Sequence, residues 1–119
     1  MSKEVSNVEP REVWKNFVLL NEVPRPSKKE ERVIEFLISF AKQNNLKYKQ
    51  DEVGNLVIVK ESTVDMINRE TVVLQSHVDM VHEKNNDVDF DFLNSGIKMY
   101  VDGDWIKADG TTLGADNGL

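Results

Sequence analysis

His77-Val78-Asp79 sets an imidazole two residues from a carboxylate, and Leu113-Gly114-Ala115-Asp116-Asn117-Gly118 places a further acid in a glycine-rich turn. An imidazole nitrogen is a good ligand for zinc, and a carboxylate on the other ring nitrogen fixes the tautomer and raises ligand basicity. If residues 77 and 79 are extended they share one face, which lets the Asp79 carboxylate approach the His77 ring. The glycines around Asp116 let the backbone bend toward a metal, and one carboxylate can bridge two ions ~3.5–4 Å apart. Each motif also has a bland origin. His-x-Asp recurs by chance, and Asp-Asn-Gly is common turn chemistry. Together they read as half of a hydrolytic metal site, with His77 and Asp116 as metal ligands and Asp79 in a catalytic supporting role.

The other titratable groups are less suggestive. His82 follows His77 by five residues in an expected loop, where a solvated histidine is the simpler reading. Asp87, Asp89 and Asp91 alternate as in a calcium loop but lack its central glycine and distal glutamate. The 119 residues contain no cysteine, which excludes a disulfide framework and thiolate zinc sites. Lys and Arg number 15 against 21 Asp and Glu, a formal charge of −6 with no basic stripe, so nucleic acid is not an expected partner. No apolar run approaches the ~18 residues of a membrane span, and the N-terminus lacks a signal-peptide core. The expected location is the cytoplasm.

The elements that hold these groups follow from periodicity. From Glu9-Pro10, the residues Val13, Trp14, Phe17 and Leu20 recur at helical spacing, and the helix should end before Pro24-Arg25-Pro26. Ser27 looks like an N-cap whose capping box is completed by Glu30. The second helix carries Val33, Phe36, Leu37, Phe40 and Ala41 and stops at Asn44-Asn45. Residues 46–50 and 56–60 read as a hairpin, and residues 97–101 and 105–108 as another around Asp102-Gly103. Residues 71–76 are apolar on both faces, as in an interior strand covered by helices on each side. His77 would then stand at the carboxyl end of that strand, where open α/β sheets place their sites. Two helices followed by a mixed sheet predict an α/β layered domain. The helices cover only one sheet face, so residues 1–119 are expected to belong to a larger fold.

Three segments carry a resemblance. Val23-Pro24-Arg25-Pro26-Ser27, Leu74-Gln75-Ser76-His77-Val78-Asp79-Met80-Val81 and the long run from Val101 to Gly118 occur in order. Together they resemble the N-terminal part of the aminoacyl-histidine (Xaa-His) dipeptidases, dinuclear zinc peptidases related to carnosinases and aminoacylases. The likeness extends from about Val8 to Leu119. It implies that residues 1–119 are the N-terminal portion of a three-layer α/β/α zinc-peptidase catalytic domain with a mixed sheet, incomplete as a fold. His77 would bind one metal, Asp79 would orient it, and Asp116 would bridge two divalent ions. Zinc is expected, with manganese or cobalt as alternatives. The family's general base, its remaining ligands and its second domain would lie beyond Leu119. Ser76 departs from the family, which usually has Gly before the metal-binding His.

The implied reaction is hydrolysis of small dipeptides such as β-alanyl-histidine by the whole protein. The 119-residue chain alone, with two ligands and no general base, is expected to be inactive. A stand-alone interaction module or pseudo-enzyme, pairing with a peptidase or as a homodimer, is the alternative. A single-metal enzyme completed by partner residues is a further one.

Overall fold

The computed structural model describes residues 2–115; residues 116–119, Asp116 among them, lie outside the described residues. Helix α1 spans Arg11–Asn21, with Pro10 at its N-cap and the Pro10 carbonyl accepting from the N–H of Val13 at 3.1 Å. Its buried face is Phe17, Val18, Leu20 and Asn21, with Trp14 partly covered. The inward stripe therefore includes 14, 17, 18 and 21, one heptad-like i, i+3, i+4, i+7 set. Val13, expected inside, is 57% exposed. A polar residue, Asn21, holds the position that apolar periodicity alone would not assign.

Helix α2 spans Glu31–Gln43. The Ser27 hydroxyl does not cap it, because that hydroxyl is spent on Asp79. Glu30 instead takes the N-cap position, and its carboxylate accepts from the N–H of Lys28 at 2.6 Å. The helix stops as its asparagines suggest. Asn45 is left-handed at φ 54, and the N–H groups of Asn45 and Leu46 bond the carbonyls of Lys42 and Ala41. That is a Schellman closure, which Asn can make at modest cost.

Strands β1 (Lys47–Gln50) and β2 (Leu56–Val59) pair antiparallel from Lys47↔Val59 to Gln50↔Leu56. Asp51 ties their turn by accepting from the N–H groups of Val53 and Asn55. Strands β3 (Met99–Asp102) and β4 (Trp105–Ala108) form the second hairpin. Its two-residue loop is Gly103-Asp104, one residue later than expected, since Asp102 pairs with Trp105. Gly103 has φ 59, the positive value that the first loop position of a type II′ turn demands. The N-terminal segment covers the free edge of β3. Ser2 Oγ and the Glu4 carboxylate accept from the N–H groups of Met99 and Val101 at 2.9 and 3.1 Å, which removes an open sheet edge.

A core joins the N-terminal segment, α1 and the second hairpin: Val5, Phe17, Val18, Met80, Ile97 and Met99 are buried together, flanked by Trp14, Phe90, Phe92 and Leu113, while α2 buries Val33 and Ala41 apart from it. Gly96 lets the chain pass against the end of α1. A Cβ there would lie 2.7 Å from Glu22 Cα and 2.8 Å from its carbonyl oxygen.

Helices and strands thus combine as the α/β expectation requires. The strands, however, form two separate two-stranded antiparallel sheets among the described residues. Residues 71–76 are not a strand here, which corrects the interior-strand expectation. Val72, Val73 and Leu74 are 79%, 83% and 91% exposed. A strand is defined by the neighbour that takes its backbone hydrogen bonds, and no described segment lies alongside this one.

Candidate functional site

The segment containing Asp79 is held against residues 25–27. The N–H of Met80 donates to the Arg25 carbonyl at 3.0 Å, and the N–H of Ser27 donates to the Met80 carbonyl at 3.2 Å. This makes a short parallel bridge centred on Pro26 and Met80. Proline suits the position because the bridge draws on its neighbours' groups and not on an N–H of its own. Within that frame the Ser27 hydroxyl donates to Asp79 Oδ2 at 2.5 Å, and the other carboxylate oxygen, Oδ1, lies 2.9 Å from His77 Nδ1.

The arrangement fixes chemistry at the imidazole. The Ser27 hydroxyl, with a smaller contribution from His77, holds the Asp79 carboxyl below its ordinary pKa against the opposing effect of burial. An ionised carboxylate only accepts, so Nδ1 donates to it, and in the neutral imidazole that assigns the lone pair to Nε2. The His77 side chain is 52% exposed and Asp79 30%, so the imidazole stands at the surface while its orienting acid is more enclosed. This donor set suits a metal of the zinc type. It does not suit acyl transfer by Ser27, whose hydroxyl is directed at the acid and not at a histidine nitrogen.

A second frame fastens the stretch that leads to Asp116. The Thr112 hydroxyl donates to the Val81 carbonyl at 2.6 Å, the N–H of Thr112 donates to the Glu83 carbonyl, and Lys84 bridges Thr111. Segments 81–84 and 111–112 therefore run side by side. Asp116 itself lies outside the described residues. Among the described residues, no group of three or more His, Asp or Glu side chains gathers as a metal set.

The remaining candidates behave as ordinary structure. His82 packs edge-on against Phe92, ring centres 5.7 Å apart. Asp91 closes a turn by accepting from the Leu93 N–H and the Asn94 amide. A cleft of about 420 Å³ between α2 and the first hairpin is lined by Glu30, Glu31, Glu35 and Glu52 among others, and neither His77 nor Asp79 lines it.

No family model matches the chain. It is 46% identical over 116 residues to the cytosol non-specific dipeptidase of Escherichia coli (strain K12), covering 98% of this chain and 24% of that protein. Its fold superposes on the aminoacylhistidine dipeptidase of Vibrio alginolyticus with a TM-score of 0.91 at 41% identity, over 94% of this chain and 23% of that one. The chain is homologous to these dipeptidases. It spans about a quarter of the length of each, and its helices and strands match the N-terminal part of a peptidase domain.

Within this dipeptidase homologue, sequence reasoning missed two residues at the centre of the frame. Arg25 is 1% exposed and Asn21 is fully buried. Arg25 donates to the Asn21 side-chain oxygen, to the Val78 carbonyl and to the Gly114 carbonyl at 2.6, 3.2 and 2.7 Å. The Asn21 amide reaches the Leu113 carbonyl at 3.3 Å. The available signals were an Arg between two prolines and a polar residue on the inward stripe of α1. No helix among the described residues is long and apolar enough to cross a membrane.

Proposed function

We propose that this chain is the part of a metal-dependent dipeptidase that supplies His77 and Asp116 as metal ligands and Asp79 as the acid orienting His77. The observation that carries this is the 2.9 Å contact between His77 Nδ1 and Asp79 Oδ1, a carboxylate holding an imidazole as the orienting partner of a metal-binding histidine does. Residues 1–119 are the opening part of the catalytic domain, and the general base and other ligands come from the rest of the protein. Two divalent ions, zinc or else manganese or cobalt, would lower the pKa of a bound water toward ~7 and polarise the scissile carbonyl. Hydrolysis adds hydroxide to the peptide carbonyl carbon, breaks the C–N bond and delivers a proton to the leaving amine. Asp79 keeps the imidazole in one tautomer throughout, and Ser27 keeps Asp79 ionised.

The substrates are dipeptides in the cytosol, with Xaa-His peptides such as β-alanyl-histidine among them. The whole protein should release histidine from β-alanyl-histidine, lose that activity to a chelator and recover it on zinc addition. The 119-residue chain should do neither. Hydrolysis that survives thorough chelation would end the metal reading. The exposure of Val72, Val73 and Leu74 favours a second reading in which the chain pairs with another copy or partner through this segment. A monodisperse dimer of the whole protein that takes up no zinc would favour that reading.

A further inference from the structure

The buried Asn21–Arg25 pair ties together three stretches far apart in sequence. Beyond the pair itself, its side chains reach the carbonyl of Val78 between His77 and Asp79, the sulfur of Met99 in β3, and the carbonyls of Leu113 and Gly114, ahead of Asp116 in the sequence. Besides the Asn21 side-chain oxygen, Arg25 binds the backbone oxygens of Val78 and Gly114, so its guanidinium registers the path of the main chain in both stretches. Gly114 is shaped to admit it. The residue has φ +71, and a Cβ there would lie 2.8 Å from Arg25 Nη2 and 2.9 Å from Met80 Cβ.

Stability alone does not account for such a residue. Taking a guanidinium out of water is costly, and apolar side chains of similar volume often replace buried charged groups without loss. A rigid planar fork, by contrast, fixes the relative direction of its acceptors, which a flexible ammonium does not. We propose that Arg25 is a positioning residue: through its fork, with Asn21, it sets the spacing between the segment of His77 and Asp79 and the turn leading to Asp116. That spacing decides whether two metal ions are held side by side. The inference rests on the metal-site reading above and goes beyond it by assigning the residue that aligns the two ligand-bearing segments.

The test uses the whole protein with Arg25→Met, Arg25→Lys and Val33→Ala. Val33 is a fully buried residue of α2 outside the clamp. Zinc affinity is read by competition with a chromophoric chelator, and thermal unfolding is followed without metal. Loss of an outer partner of a metal site costs about 10–100-fold in metal affinity. Arg25→Met and Arg25→Lys should each weaken at least one zinc by that amount while still unfolding cooperatively. Val33→Ala should lower the unfolding temperature and leave both zinc affinities unchanged. A folded Arg25→Met that binds two zinc ions as tightly as wild type overturns the proposal. So does an equal loss of affinity in Val33→Ala, which would assign the effect to general destabilisation. If Arg25→Met does not fold, Arg25→Lys decides by the same readings. A wild-type protein that binds no zinc would instead refute the metal-site reading beneath it.

Discussion

Residues 71–76 and residues 77–80 adjoin in the chain and are ordered by opposite means. The first stretch carries the apolar run Val72-Val73-Leu74, yet these residues are 79%, 83% and 91% exposed. The second is more polar, and Arg25, Ser27 and the backbone around Pro26 hold it at 2.5–3.2 Å spacings. Apolar surface creates a demand for cover without specifying a geometry. Directed hydrogen bonds specify geometry over a few ångströms whether or not the neighbouring stretch is covered. That is why the site acid and its histidine are in place beside a segment that has no partner strand among the described residues.

The comparison can be broken from either side. Leu74→Asp should leave the stability of the 119-residue chain within about 0.5 kcal/mol, as for an exposed site. In the whole protein the same change should destabilise by about 3 kcal/mol or more if residues 71–76 become an interior strand there, since it buries an unpaired charge. Denaturant unfolding of both forms measures the contrast, and equal small effects in the two would remove the interior-strand idea. Gly96→Ala forces a Cβ against the backbone at Glu22 and should cost about 1–3 kcal/mol, read as a lowered unfolding temperature. A neutral result would show that the α1 end yields more easily than its packing suggests.

On the ordered side, Asp79→Asn keeps the shape but ends the acceptor-only partner of His77 Nδ1. Zinc affinity of the whole protein should fall about 10–100-fold, measured by chelator competition. An unchanged affinity would mean that the His77 tautomer is set by something other than Asp79. The smallest effect is expected in the first hairpin turn. There the Asn55 side-chain amide, first among several donors, holds the Asp51 carboxyl below its ordinary pKa. A group depressed in the folded state supports the fold above its unfolded pKa, and that support disappears as pH falls through the lowered value. Amide exchange at Val53 and Asn55, taken relative to the intrinsic rate at each pH, should stay slow at neutral pH and accelerate only below the usual carboxylate range. Acceleration beginning at neutral pH would contradict this.

Local signals were legible in the sequence. The helices, both hairpins and the Asn44-Asn45 stop follow from periodicity and turn chemistry, which depend on neighbours only a few residues away. The closeness of His77 and Asp79 was legible for the same reason. Non-local features were not. The inward place of Asn21 on α1 is set by Arg25 and the Leu113 carbonyl, and a reading based on apolar spacing chose Val13 instead. Ser27 has the local pattern of a helix cap, and only Asp79, 52 residues away, draws its hydroxyl elsewhere. Residues 71–76 looked like a strand because composition reports suitability for a sheet, while pairing depends on which segments lie alongside. The Asp116 expectation falls outside the described residues and rests on sequence and homology.

The most direct test of the central claim is the number of zinc ions bound by the whole protein and by its His77→Ala variant, measured by calorimetric titration after chelation. Two ions are expected for the wild-type protein and at most one tightly bound ion for the variant. Two ions bound with unchanged affinity by His77→Ala would contradict it.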